Sequence, residues 1–296
     1  MSALASIVVP CHDNLLYTAL CLDSIARHTP QAHEVIVVDN GCTDATAEWA
    51  AAHGARVVRS RVNLGFAGGV NLGLAAAAGD VAVLLNNDAL ATPGWLAGLL
   101  GALGRGDGTG IAGPRSNWVS DDQILGPVPY TEAPSAELDA FGAARHRDHA
   151  GEGREVARIS GLCMAIARPV LDAIGGFDVR FEVGNMEDED YALRARLAGF
   201  RRRVVDESFV HYFVTRCSTW WTTTTTRCSR STRCATPRSG TCRCTATRAA
   251  SCPPGASTPR PTGSRSRPER QAAGVCGAAA ERSQPAAVVP ARQAAS

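Results

Sequence analysis

The stretch SIVVPCHDNLLYTALCLDSIARHTPQAHEVIVVDN, residues 6–40, decides the fold. Two short apolar runs, Ser6–Pro10 and Glu34–Asp39, flank the segment Asn14–His28, in which leucine and isoleucine recur at helical spacing. A strand that is apolar throughout is typical of a parallel sheet with both faces covered. The stretch therefore predicts two parallel strands joined by a helix, the repeating unit of an α/β protein.

The same alternation of strand and helix continues to residue 103. Further strands are predicted at Ala55–Arg59 and Asp80–Leu85, and further helices at Thr43–His53, Phe66–Ala78 and Pro93–Leu103. This order predicts a Rossmann-like sandwich, in which helices cover both faces of a mostly parallel central sheet.

The pattern after residue 103 is less regular. Residues 115–158 contain adjacent acids and several prolines, and they predict an irregular excursion over the crevice at the carboxyl ends of the strands. Four later segments are predicted: a strand at Ser160–Ala167, a turn-rich loop at Asp172–Phe181, an amphipathic helix at Glu187–Gly199 with Leu193 and Leu197 facing inward, and a short strand at Arg203–Val205.

Charge and composition change abruptly near residue 215. Residues 1–214 hold 17 Arg and 26 acidic residues, a net charge of −9, whereas residues 215–296 hold 13 Arg and two acids, a net charge of +11. The second segment has no Leu, Ile, Met, Phe or Tyr, so it cannot bury enough apolar surface to fold. We predict a folded domain at 1–214 and a low-complexity, disordered tail at 215–296. Whether the tail is a frameshift product or a genuine basic arm stays open.

Composition also bears on compartment and partners. No apolar run approaches the roughly 20 residues needed to cross a bilayer, and the start of the chain does not resemble a signal peptide. The cysteines before residue 215 (Cys11, Cys21, Cys42 and Cys163) lack zinc-binding spacing and predict free thiols in a cytoplasmic protein. Peripheral association with the inner face of a membrane stays open, and no motif predicts nucleic-acid binding.

Polar residues follow three of the predicted strands. His12–Asp13 follows the first, Asp39–Asn40 the second, and Asn86–Asp88 the fourth. Ligands of parallel sheets bind beyond the carboxyl ends of the strands. The sequence therefore predicts one polar crevice at this edge of the sheet.

Two stretches near this crevice suggest how a diphosphate could be bound. The carboxylate of Asn86–Asp88 could hold Mg²⁺ or Mn²⁺, both of which prefer oxygen ligands, or the stretch could be an Asx turn. The glycine-rich stretch Asn63–Asn71 opens a helix, so its N–H groups could face an anion or simply form a tight turn. Its G-x-x-G-G order after the third strand does not match a nicotinamide-binding loop.

Two features near the end of the acidic part could carry chemistry. Glu187–Asp190 places four acids at a helix N-terminus, which the helix dipole favours. Crowded carboxylates also raise one another's pKa, so one of them could act as a general base. His211 is either a structural residue or a ligand to a metal at Asp88.

Taken together, these segments resemble the family-2 glycosyltransferases with the GT-A fold, including rhamnosyltransferase-like enzymes. The resemblance covers about residues 5–213 and rests on seven stretches: SIVVPCHDN, VIVVDNGCTDAT, NLGFAGGVNLG, LLNNDALATPGWL, GLCMAIARPVLDAIGGFD, GNMEDEDYALRARLAGF and SFVHYF. It implies inverting transfer of a sugar from a nucleoside-diphosphate sugar to a hydroxyl of a glycan or lipid-linked acceptor, with a divalent cation, Mg²⁺ or Mn²⁺, as cofactor.

The resemblance also implies roles for individual residues. Asp188 matches the general base, with Glu187 and Asp190 supporting it. Asp88 matches the metal-binding acid of the family's D-x-D, and His211 matches a histidine that completes the metal site. The residues implied to bind the nucleotide sugar are Pro10, His12, Asp39, Asn40, Asn63, Gly69, Asn86 and Asn87. The alternative function is a nucleotide-sugar or glycan-binding module that lacks turnover because the C-terminal acceptor element is lost.

Overall fold

The computed structural model describes residues 3–119, 121–181 and 186–213. The predicted tail at 215–296 lies outside the described residues, so the domain boundary at residue 214 stays a prediction.

The first part of the chain forms the predicted alternation of strands and helices. Its elements are β1 (Ala5–Cys11), α1 (Leu15–His28), β2 (His33–Asn40), α2 (Thr46–Ala52), β3 (Arg56–Ser60), α3 (Gly65–Ala76), β4 (Val81–Leu85), β5 (Ala89–Ala91) and α4 (Trp95–Leu103). Every strand and helix predicted before residue 104 is present, and the short strand β5 is added between β4 and α4.

The second part of the chain contains more regular structure than predicted. Its elements are β6 (Thr109–Ser116), α5 (Ala136–Asp148), β7 (Gly153–Glu155), β8 (Cys163–Ala167), α6 (Arg168–Ile174), α7 (Glu187–Leu197) and β9 (Arg201–Tyr212), with short 3-10 helices at Asp121–Gln123 and Val179–Phe181.

The described strands form one sheet of nine, in the order β3-β2-β1-β4-β8-β6-β9-β5, with β7 also paired to β9. Strands β3, β2, β1 and β4 are parallel to one another. Strand β8 is antiparallel to both β4 and β6, and β9 is parallel to β6. Six strands therefore run in one direction. Strands β5 and β7 run against β9. The predicted α/β fold with a mostly parallel central sheet is confirmed.

Helices cover both faces of the sheet and enclose two apolar layers. On one face, Ile7 and Val9 of β1 pack with Ile25 of α1 and Trp95 of α4. On the other face, Val8 packs with residues of α3 and α7. Gly73 allows α3 to approach closely, since a Cβ there would lie 2.2 Å from Cγ1 of Val8. No helix in the described part of the chain is long and apolar enough to cross a bilayer.

Three predictions in the second part of the chain were wrong. Residues 115–158 include strand β7 and helix α5, whose capping residue Ser135 accepts a hydrogen bond from the amide of Leu138 (3.1 Å). The predicted loop from residue 172 begins inside α6, which has a proline in its first turn. The predicted strand at 203–205 lies in the first half of the much longer β9.

The inward face of α7 is also different from the prediction. Leu193 and Leu197 are 45% and 76% exposed. The buried apolar positions are instead Tyr191, Ala192 and Ala195. The Tyr191 ring stacks on Phe177 with centroids 4.3 Å apart, so an aromatic contact determines which face of the helix turns inward.

Candidate functional site

The carboxyl ends of β1, β2 and β4 bring the predicted polar loops together. His12 Nδ1 lies 3.2 Å from the carbonyl oxygen of Asn40. Asn87 donates from Nδ2 to Thr18 Oγ1 at 2.9 Å and to the carbonyl oxygen of Asp13 at 3.5 Å. These contacts connect the loops that follow three neighbouring strands, as predicted for a shared crevice.

Asn40 holds the glycine-rich loop against the end of β2. Its Oδ1 accepts from the amide of Leu64 at 2.9 Å, and its Nδ2 donates to the carbonyl oxygen of Gly65 at 2.9 Å and to Asn63 Oδ1 at 3.1 Å. A Cβ on Gly69 would lie 3.0 Å from the same Nδ2. The structure therefore joins Asn40, Asn63 and Gly69, and the buried Asn40 amide fixes the loop at the start of α3.

The two remaining nucleotide candidates on β1 and β2 lie on neighbouring strands. Pro10 pairs with Val38, one residue before Asp39 in the parallel register. The buried Asp39 carboxylate accepts from the amide of Cys42 at 2.8 Å and lies 3.8 Å from the Arg59 guanidinium. Asp39 thus fixes the turn after β2 and pairs with a cation of β3.

A neighbouring group of ligand atoms was not predicted from the sequence. One ligand atom each from Asp13, Cys42 and Asp44 lies within 4.8 Å of the others. The Thr43 amide donates to Asp13 at 2.6 Å and lowers the pKa of that carboxyl, and the Leu15 amide donates to Asp44 at 3.1 Å. Backbone N–H groups therefore account for the closeness of these carboxylates.

The predicted metal ligands lie on two paired strand ends. Leu90 pairs with His211 in the antiparallel register of β5 and β9, and the amide of Phe213 donates to the carbonyl oxygen of Asp88 at 3.1 Å. The Asp88 side chain is mostly buried. Burial lowers the pKa of His211 to about 4, so the ring is neutral at physiological pH. A carboxylate and a neutral imidazole are suitable ligands for Mn²⁺ or Mg²⁺.

Asp188 is connected to the same region through the segment before β8. Its Oδ2 accepts from the amide of Gly161 at 3.0 Å. The next residue, Leu162, accepts from the amide of Asn86 at 2.9 Å. One hydrogen bond to the Asp188 side chain and one between main-chain groups thus join the N-terminus of α7 to the Asn86–Asp88 segment. Burial raises the pKa of Asp188, which makes its carboxylate a stronger base than an exposed one.

The other two acids at this helix end differ in their surroundings. Glu187 is only 7% exposed, and its Oε2 has no hydrogen-bond partner among the described residues. Burial, together with the nearby charge of Asp188, raises the pKa of Glu187 to about 7. Asp190 instead forms an ion pair with Arg194 at 2.8 Å, one helical turn away. Its part in catalysis stays a prediction.

Glu187→Gln should remove a pH dependence of stability. A raised pKa means that the folded state holds the proton more tightly, so the contribution is complete below the ordinary value of 4.5 and is lost as pH rises to about 7. Over that interval the wild type should lose about 3 kcal/mol relative to the variant. Urea unfolding of both proteins between pH 4.5 and 8 measures the difference.

The control for this experiment is Glu137→Gln, which removes an exposed carboxyl from the first turn of α5. Its unfolding free energy should follow the wild type across the pH range. If the unfolding free energies of wild type and Glu187→Gln changed equally with pH, burial would not raise the pKa of Glu187 as proposed.

A pocket of about 590 Å³ lies beside His211. Its wall consists of a loop before α5 and the end of β9: Val128, Tyr130, Thr131, Glu132, Ala133, Pro134, His211 and Phe213. None of these loop residues was predicted to belong to the site, because the stretch shows no periodicity and meets β9 only in the folded chain.

Two solved structures have the same fold. A crystal structure of GalNAc-T7 with UDP, GalNAc and Mn²⁺ aligns with a TM-score of 0.57 and 18% identity, covering 71% of this chain and 44% of the other. The mannosyltransferase PcManGT from Pyrobaculum calidifontis, in complex with GDP-Man and Mn²⁺, aligns with a TM-score of 0.54 and 20% identity, covering 74% and 59%. The sheet and its loops therefore define a GT-A fold.

The first part of the domain matches a known family. Residues 6–133 match the family described as Glycosyl transferase family 2. This segment carries the strand ends and the Asn86–Asp88 loop of the site. The match agrees with the family predicted from the sequence motifs.

The chain is also similar to two uncharacterised bacterial proteins. One, from Sinorhizobium fredii, is 27% identical over 217 residues, which cover 67% of this chain and 23% of that protein. The other, from Mycobacterium tuberculosis, is 31% identical over 163 residues, which cover 53% and 57%. The matched region thus spans less than two thirds of either relative.

Proposed function

We propose that this chain is an inverting glycosyltransferase that moves a sugar from a nucleoside-diphosphate sugar to an acceptor hydroxyl. The observation that supports this most directly is the meeting of three elements at one sheet edge. The Asp88 and His211 strand ends pair with each other, and Asp188 reaches the Asn86–Asp88 segment through Gly161 and Leu162. The two structural neighbours are complexes with UDP and with GDP-Man, each with Mn²⁺, which favours the same donor class.

Asp88 and His211 are the residues that would hold a divalent cation. Bound there, the cation would supply positive charge to the departing diphosphate. Asn40 holds the glycine-rich loop at the N-terminus of α3, an end of a helix where an anion is favoured. These residues would bind and orient the donor.

Asp188 is proposed to accept the acceptor's proton. As the hydroxyl proton moves to the Asp188 carboxylate, the oxygen forms a bond to the anomeric carbon, and the bond from that carbon to the diphosphate breaks. The electron pair of the broken bond leaves with the nucleoside diphosphate. Attack from the opposite face inverts the configuration in one displacement, and general-base help contributes roughly 10²–10⁴ in rate.

The finer assignments rest on the motif resemblance. The rhamnosyl-type donor and the glycan or lipid-linked acceptor remain predictions. The alternative function, nucleotide-sugar binding without turnover, depends on the residues after Phe213, which lie outside the described part of the chain.

A ligand screen followed by a turnover assay tests the proposal. UDP, dTDP or GDP at a hundred times its Kd, with Mn²⁺, should add about 2.7 kcal/mol to stability, equivalent to roughly 5–10 °C in Tm. Donor consumption with and without glycan acceptors then separates an enzyme from a binding module. Stabilisation by NAD but by none of the nucleoside diphosphates would overturn the assignment.

A further inference from the structure

Tyr130 forms a hydrogen bond with the proposed metal ligand His211. The phenol oxygen lies 2.8 Å from Nδ1, although the two residues are 81 positions apart in the sequence. Tyr130 is buried, with 8% of its surface exposed. Among the described residues, it is the hydrogen-bond partner that the structure gives to the His211 ring. The contact therefore controls which nitrogen of a neutral imidazole carries the proton.

The direction of this hydrogen bond determines whether His211 can bind a cation. If the tyrosine donates to Nδ1, the proton of the neutral ring is on Nε2, and neither nitrogen has a free lone pair. If Nδ1–H donates to the tyrosine oxygen, the lone pair of Nε2 is available. Histidines that bind metals generally donate their other N–H to an oxygen, which fixes the tautomer and the ring orientation.

We propose that Tyr130 is a positioning residue, whose oxygen accepts Nδ1–H of His211 and so directs Nε2 toward the cation. The proposal rests on the proposed function in one respect, the assignment of Asp88 and His211 as cation ligands. It adds a residue from the loop before α5, outside the motifs that carry the family resemblance.

The packing around Tyr130 keeps the phenol oxygen in place. Its ring lies against Phe141 of α5 and Phe209 of β9, with centroid distances of 5.8 and 6.5 Å. The His211 ring meets it edge-on at 5.5 Å. Because these contacts involve the ring and not the hydroxyl, Tyr130→Phe should retain the fold and remove only the acceptor oxygen.

The test measures Mn²⁺ itself in the full chain. Mn²⁺ affinity is determined by titration in the presence of saturating UDP, and nitrogen coordination is read from the ¹⁴N coupling in electron spin echo spectra of bound Mn²⁺. Tyr130→Phe should weaken Mn²⁺ binding about 10–100-fold and diminish the ¹⁴N coupling. Tyr17→Phe is the matched control, because the Tyr17 ring contacts Phe213 at 5.1 Å rather than His211.

The outcomes distinguish the positioning role of Tyr130 from the assignment of His211 as a cation ligand. Wild-type affinity and full ¹⁴N coupling in Tyr130→Phe would overturn the positioning role while leaving His211 as a ligand. No ¹⁴N coupling in the wild type, with unchanged Mn²⁺ affinity in His211→Ala, would reject His211 as a ligand and the role of Tyr130 with it. Sugar transfer, assayed separately, would still test the proposed activity. Weakening in Tyr130→Phe but not in Tyr17→Phe supports the proposal.

Discussion

Asp88→Asn should lower kcat/KM for sugar transfer by at least about a thousandfold, since charge stabilisation by a bound cation provides several kcal/mol. Asparagine has nearly the same shape but lacks the negative charge that attracts a divalent cation. The hydrogen bond from Phe213 goes to the main-chain oxygen of residue 88, so the pairing of β5 with β9 should survive. Steady-state kinetics in Mn²⁺ measure the loss of sugar transfer. The Tm shift caused by nucleoside diphosphate measures the loss of Mn²⁺-dependent binding.

The control for Asp88→Asn is Asp23→Asn, which removes an exposed carboxylate from α1. It should show wild-type kinetics and the full Mn²⁺-dependent Tm shift. If Asp88→Asn kept both properties, the cation would have to be held elsewhere; the oxygens of Asp13 and Asp44 would then be the first alternative.

Asp188→Asn should bind donor and Mn²⁺ normally but transfer sugar roughly 10²–10⁴ times more slowly. The amide oxygen of asparagine can still accept from the Gly161 N–H, so the connection between α7 and the segment before β8 is kept. What is lost is a base that can take the acceptor's proton. In the wild type, transfer should decline as pH falls through the raised pKa of Asp188, and so at a higher pH than for an exposed aspartate.

Binding and turnover must be measured separately for this variant. Thermal shift with UDP and Mn²⁺ reports donor binding, and product formation reports transfer. Asp148→Asn, at an exposed position near the end of α5, is the control for loss of a carboxylate. Full turnover by Asp188→Asn would reject the assignment of the base, whereas loss of donor binding would place Asp188 in the donor site.

The first part of the fold could be predicted because its strands carry their own signal. The runs around Val8, Val37 and Val83 are apolar throughout, and these strands are buried on both faces of the sheet. Polar residues at the ends of such strands necessarily share an edge, which is why the positions of His12, Asn40 and Asn87 followed from sequence alone.

The second part depends on contacts between distant residues. β9 contains Asp206 and Ser208, which interrupt its apolar pattern; Asp206 pairs with Arg115 at 3.4 Å and Ser208 donates to the carbonyl oxygen of Trp95 at 2.7 Å. Likewise, no local pattern links Tyr130 to His211, because the loop residue and the strand residue meet only after the sheet is assembled.

The position of β9 also affects how the protein can fold during synthesis. In the described sheet, β5 and β7 pair with β9 alone, and β6 needs β8 and β9. The parallel group β1–β4 can form as it leaves the ribosome, whereas β5 is made long before its partner. At a translation rate of about 5–20 residues per second, the interval between synthesis of β5 and of β9 is on the order of ten seconds. During this time an unpaired strand edge can pair with other nascent chains. Slow translation between residues 91 and 201 should therefore increase the demand for chaperones.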